Sequence, residues 1–195
     1  MINLAIFASG NGSNAENLIK YFAKSDLVFI PLIFTNNPKA KVIQRVHKLK
    51  KSCLVFTRED LYENNFVLKA LKDNNIDFIV LAGFLWLIPM DILQAYPRRI
   101  VNIHPALLPN FGGKGMYGQR VHKAVLESGV KQSGITIHYV NELYDRGDII
   151  FQKICPVFPN DTIQTLSERI HKLEYKYYPI VIEQIIKSLD KTHKI

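Results

Sequence analysis

Asn102 and His104 stand two residues apart in the segment NIHPALLP, at the end of an apolar run that reads as a strand. Alternation along a strand sends both side chains to one face, about 6.6 Å apart, close enough to converge on one reacting atom. The Asn amide offers neutral donors to a developing oxyanion, and an imidazole can donate or exchange a proton near neutral pH. In open α/β sheets the carboxyl ends of strands are where ligands bind. A structural polar pair at a strand end is the competing reading. No nucleophile elbow or HExxH pattern accompanies the pair, so the sequence offers no covalent nucleophile and no metal ligand set.

Two other segments carry chemistry. SGNGSNA, Ser9 to Ala15, follows a strand and opens a helix, the setting in which backbone N–H groups and the helix dipole cradle phosphate. Gly12, Ser13 and Asn14 would then face a terminal phosphate monoester; a ligand-free Gly-rich turn is the alternative. The segment also satisfies G-x-G-x-x-A, but Thr35-Asn36-Asn37 stands where a dinucleotide fold places its ribose-binding carboxylate, which argues against NAD. Asp145, in YDRGD, sits on a predicted tight loop between two late strands. If that loop folds over the earlier strand ends, Asp145 would pair with His104 and raise its pKa, keeping an imidazolium available for acid catalysis. GGKG at 112–115 lacks the Ser or Thr of a P-loop after Lys114, which reads as a solvated loop lysine.

The elements that must position these residues are legible as periodicity. Strand patterns at INLAIFA, LVFIPLIF, CLVF, DFIVLA and RIVNIH alternate with helical patterns near 14–24, 40–51, 60–74 and 89–96, which predicts a parallel sheet. Thr57 with Asp60 resembles a capping box, Asn36-Asn37-Pro38 a turn, and Pro89 a first helical turn. Beyond residue 104 come a Pro- and Gly-rich loop to Gly118, a helix near 119–128, and the strands SGITIHYV and DIIFQKICPVF, read as antiparallel. Asp161 or Thr162 can cap a final helix to about Leu189, with a Lys-rich end from Lys187. The fold class is α/β: a Rossmann-like, doubly wound, mostly parallel sheet with a C-terminal antiparallel hairpin and a long final helix. We read residues 1–195 as a single domain, with a phosphate-binding half to about 101 and a catalytic half from about 102.

Composition narrows the classes. The chain has 195 residues, 48% hydrophobic and 22% charged, which excludes a disordered or fibrous protein. The apolar run Phe78 to Met90 is too short to span a membrane. The N-terminus lacks the features of a signal peptide, so a cytoplasmic protein is expected, with Cys53 and Cys155 as reduced thiols. The net charge of +8 fits anionic ligands or nucleic acid; no zinc spacing, RNP-like pattern or recognition helix supports a nucleic-acid-binding module.

SGNGSN, LAGF at 81–84, NIHPALLP at 102–109, GITIHYV with Asp145 beyond it, and HKLEYKYYP together resemble the glycinamide ribonucleotide formyltransferases, folate-dependent enzymes of purine synthesis. The resemblance spans nearly the whole chain. It implies formyl transfer from N10-formyltetrahydrofolate, as co-substrate, to the amine of phosphoribosylglycinamide, without a metal. Asn102, His104 and Asp145 match the catalytic trio; Gly12, Ser13, Asn14 and Glu174 match contacts to the phosphoribosyl substrate. Leu85, Trp86, Leu87 and Ile88, with Asn102 and with Val140, Asn141, Glu142, Leu143 and Tyr144, match the folate walls. Trp86 stands where members often carry Arg, and the best register puts Glu59, beside Arg58, at another folate-contacting Arg. The loop GGKGMYG is longer than in some members and leaves Lys114, Tyr117 and His122 without a role. The resemblance implies small-molecule partners, no nucleic acid or membrane, and a monomer or homodimer. Formyltetrahydrofolate hydrolase would be expected to bring an N-terminal domain, and a tRNA formyltransferase a C-terminal one.

Overall fold

The computed structural model describes residues 1–192, with side chains to Leu189; the end of the Lys-rich tail lies outside the described residues. The strands are β1 (Ile2–Phe7), β2 (Val28–Phe29), β3 (Leu32–Thr35), β4 (Ser52–Val55), β5 (Phe78–Leu81), β6 (Ile100–His104), β7 (Gln132–Tyr139) and β8 (Ile149–Pro156). The helices are α1 (Ser13–Tyr21), α2 (Lys41–Lys48), α3 (Arg58–Tyr62), α4 (Phe66–Asp73), α5 (Met90–Ala95), α6 (Gln119–Glu127) and α7 (Ile163–Thr192).

The strands form one sheet in the order β4-β3-β1-β5-β6-β7-β8, with β2 pairing β1 off that path. Pairing is parallel from β4 to β6 and antiparallel where β7 meets β6 and β8. Because parallel crossovers lay helices on both faces, the central strands are apolar on both sides. Leu4 and Ile6 of β1 face the layer that contains α1, α2, α6 and α7, whereas Ala5 and Phe7 face that of α3, α4 and α5. Phe7 stacks on Phe34, ring centroids 4.6 Å apart, within this second core. After β4 the chain crosses back past β1, so the strand order reverses between β1 and β5. That reversal opens a crevice beyond their carboxyl ends.

Several elements differ from the sequence expectation for local reasons. LVFIPLIF is two strands, because Pro31 has no N–H to donate to a ladder. The helix expected over 60–74 starts at Arg58, behind a capping box between Thr57 and Asp60, and breaks at 63–65, where Asn65 has a left-handed φ of 57°. Helix α1 stops at Tyr21 and a 3₁₀ turn, Phe22–Lys24, finishes the expected 14–24 segment. Pro89 is the residue before α5 instead of its first-turn member. The hydroxyl of Thr162 accepts from the Thr165 N–H and caps α7. The buried Tyr178 hydroxyl donates to the Leu81 carbonyl at 2.8 Å, fastening α7 to β5. Among the described residues no helix is long and apolar enough to cross a membrane. Both cysteines are free; burial pushes the Cys53 thiol up to about 11.

Candidate active site

The β6–β7 register sets Asn102 opposite His138 and His104 opposite Thr136, so one sheet face presents two imidazoles and an amide near the end of β6. The loop between β7 and β8 folds back over them. Gly147 makes this possible, since a Cβ there would collide with the Tyr139 carbonyl, and Asp145 arrives in a left-handed conformation at φ 55°. Asp145 Oδ2 lies 3.5 Å from His104 Nδ1, and Oδ1 lies 3.6 Å from His138 Nε2 and 3.5 Å from Asn102 Nδ2. Asn102 Nδ2 is also 3.1 Å from His138 Nε2, while His138 Nδ1 is 2.7 Å from the Tyr139 carbonyl. To donate to that carbonyl His138 Nδ1 must carry a proton, and its Nε2 faces both Asn102 and Asp145.

His104 is 3% exposed and both its ring nitrogens face oxygen, Nδ1 toward Asp145 and Nε2 toward the Phe111 carbonyl at 2.8 Å. Only an imidazolium could donate to both, yet burial outweighs Asp145 and holds the His104 pKa below the ordinary imidazole value. The expected pairing is present; the expected net rise in pKa is not, because the desolvation cost of the charged ring exceeds the attraction of a carboxylate 3.5 Å away. Burial alone would raise the Asp145 carboxyl, but His138, His104 and the Gly113 N–H, donating at 2.9 Å, keep it below the usual carboxylate range.

The same cleft, about 380 Å³, runs to the start of α1. Gly12 precedes that helix at φ 74°, and the N–H groups of its first turn have no intrahelical acceptors. Asn14 Nδ2 donates to Glu174 Oε2 at 2.9 Å, and burial pushes the Glu174 carboxyl up to about 7 despite that bond. Leu85, Trp86, Leu87 and Ile88 form one wall of the cleft after β5, with the Leu85 N–H donating to Ser9 Oγ. Val140, Asn141, Leu143 and Tyr144 form the other. Every residue singled out for the site from the sequence lines this cleft except Glu142, which stays exposed outside it. Among the described residues no three His, Cys, Asp or Glu side chains converge as a metal site.

Residues 2–182 match the family model described as Formyl transferase. The chain is 40% identical over 192 residues to the phosphoribosylglycinamide formyltransferase of Bacillus subtilis (strain 168), covering 95% of each chain. The chain belongs to the formyl transferase family, in its phosphoribosylglycinamide formyltransferase branch. It is also 42% identical over 191 residues to the chloroplastic phosphoribosylglycinamide formyltransferase of Arabidopsis thaliana, spanning 65% of that protein's length. Among solved structures, glycinamide ribonucleotide transformylase 1 of Geobacillus kaustophilus superposes with a TM-score of 0.86 at 38% identity, covering 95% of this chain and 99% of that one. The phosphoribosylglycinamide formyltransferase of Bacillus halodurans gives 0.84 at 36% identity, covering 94% and 95%. The formyltransferase resemblance and the α/β fold class read from the sequence are both borne out.

For this formyltransferase the sequence reading missed His138. Its signal was present: GITIHYV is a strand, and alternation puts His138 on the face of Thr136, the face that looks toward β6 residues Asn102 and His104. Which strand pairs it, and in what register, was not legible. Arg58, rather than Glu59, borders the cleft wall, with its guanidinium 4.8 Å from the Tyr62 ring centre and 5.9 Å from that of Trp86. Lys114 is exposed and off the cleft, Tyr117 lines it, and His122 is buried with its pKa lowered to about 4 by burial and by nearby His171 and His104.

Proposed function

We propose that this chain transfers the formyl group of N10-formyltetrahydrofolate to the amine of phosphoribosylglycinamide, a step of purine biosynthesis, within a single domain. The observation that carries the reading is one cleft lined together by the N-terminus of α1 and Glu174, by the segments 85–88 and 140–144, and by Asn102, His104 and Asp145. The phosphate sits on the N–H groups of Gly12, Ser13 and Asn14, where the dipole of α1 favours an anion. Glu174, with a carboxyl that titrates near neutrality, exchanges hydrogen bonds with the ribose hydroxyls. The pterin of the folate lies between Leu85, Trp86, Leu87, Ile88 and Asn102 on one side and Val140, Asn141, Leu143 and Tyr144 on the other, with Glu142 at the rim. Residues to about 101 supply the phosphate-gripping loop and the first folate wall, and those from about 102 supply the reacting groups and Glu174.

The chemistry follows from those positions. The amine nitrogen bonds to the formyl carbon, the carbon–N10 bond breaks, and one proton passes from the amine to N10. In the tetrahedral intermediate the formyl oxygen becomes an oxyanion. It is met by the Asn102 amide hydrogen now spent on the 3.5 Å contact to Asp145, and by His104 Nε2 once the Phe111 carbonyl gives way. A His104 whose pKa is held down is a stronger acid when protonated, suited to neutralising that oxyanion. Asp145, kept ionised, attracts the proton that the attacking amine must shed and offsets the cationic imidazole.

The test is incubation of purified protein with both substrates, with the formylated product read by mass. Stoichiometric formylated phosphoribosylglycinamide is expected from the wild type; its absence at full loading of both substrates would end this reading.

A further inference from the structure

Pro179 lies inside α7 and has no N–H, so the carbonyl of Tyr175, four residues earlier, lacks its regular i+4 helical donor. The structure supplies one from elsewhere. Asn17 Nδ2 of α1 donates to the Tyr175 carbonyl at 2.9 Å. Asn17 lies three residues beyond Asn14 on the same face of α1, and Tyr175 directly follows Glu174 on α7. Two side-chain bonds one turn apart on α1 therefore reach adjacent residues of α7: Asn14 to Glu174, and Asn17 to the carbonyl that Pro179 leaves free. A third, from the Tyr21 hydroxyl to Glu183 at 2.8 Å, continues the row. Asn14 contributes its Nδ2 to this row, while its Oδ1 is buried without a partner.

Resting on the proposed phosphoribosyl site, we infer that Asn17 is a positioning residue: through the carbonyl freed by Pro179 it fixes the rotation of α1 against α7. The first-turn N–H groups of α1 and the Glu174 carboxyl thereby face the same phosphoribosyl group. Asn17 itself touches no substrate. A donor that served only to satisfy a carbonyl would be equally served by the helix's own N–H, and this separates the two roles experimentally.

Three proteins decide it: wild type, Asn17→Ala, and Asn17→Ala with Pro179→Ala, in which residue 179 regains an N–H for Tyr175. Asn17→Ala is expected to raise KM for phosphoribosylglycinamide about fivefold, the scale of one hydrogen bond, with kcat and the KM for the formyl donor within about twofold of wild type. Its melting temperature should fall. In the double variant the melting temperature should recover while the raised KM persists, because the carbonyl is satisfied but α1 is no longer tethered. An unchanged KM in Asn17→Ala, a KM that returns together with the melting temperature, or an equal loss for both substrates would overturn the inference. A wild type that does not formylate phosphoribosylglycinamide would instead defeat the functional reading on which the inference rests.

Discussion

His104 carries a tension that its neighbours create. Two oxygens ask it to be charged, while a site that leaves it 3% exposed asks it to be neutral, and the second demand prevails. Such a group spends most of its time as imidazole at neutral pH and acts when a substrate oxygen begins to charge. On this account His104→Ala, Asn102→Ala and Asp145→Ala each lower kcat by roughly two to three orders of magnitude, with far-UV dichroism unchanged. Wild-type turnover in all three would remove the mechanism. The sequence was informative about Asn102 and His104 because a strand's alternation is local. It was incomplete for Asp145, whose approach depends on a hairpin folding back, and silent on burial, which reverses the net effect on the His104 pKa. His138 escaped because its partner strand is a matter of register.

At the level of elements, the cleft exists because the strand order reverses between β1 and β5, and the loop after β1 enters it through a position, Gly12, that requires glycine. Gly12 sits at φ 74°, and a Cβ there would lie 2.5 Å from the Val42 side chain on α2. Gly12→Ala is therefore expected to cost about 2–4 kcal/mol, from a left-handed backbone and an overpacked contact together, and to weaken phosphoribosylglycinamide binding. Urea unfolding and KM measurements check both parts; a variant as stable as wild type would show that α1 and α2 are not packed as described. Most elements were legible because periods of 2 and 3.6 residues are written in side chains. The errors fell at Pro31 and at 63–65, where one missing N–H or one left-handed Asn ends an element inside an unbroken apolar pattern. The sheet order, which makes the crevice, is a long-range property that periodicity does not encode.

At the scale of the whole molecule, two buried groups pull stability in opposite directions across the same pH range. His122, with a folded pKa of about 4 against an ordinary 6.5, stabilises the native state fully above 6.5, and that contribution is lost as pH falls toward 4. Glu174, raised from 4.5 to about 7, contributes fully below 4.5 and loses its contribution as pH rises toward 7. The two slopes oppose each other between about pH 4.5 and 6.5. Glu174→Gln removes the second slope, so its stability relative to wild type should climb between pH 4.5 and 7 by up to about 3 kcal/mol, as followed by denaturant unfolding at several pH values. A difference independent of pH would mean that Glu174 is ordinarily solvated. The net charge of +8 suits a molecule whose two proposed substrates are both anionic. Whether it joins them in one reaction is decided by following the loss of N10-formyltetrahydrofolate with purified wild-type protein, with and without phosphoribosylglycinamide. Loss of donor only when the amine is present, one for one with formylated product, is the predicted result. Loss at the same rate without the amine would mean that water is the acceptor, and would contradict the account.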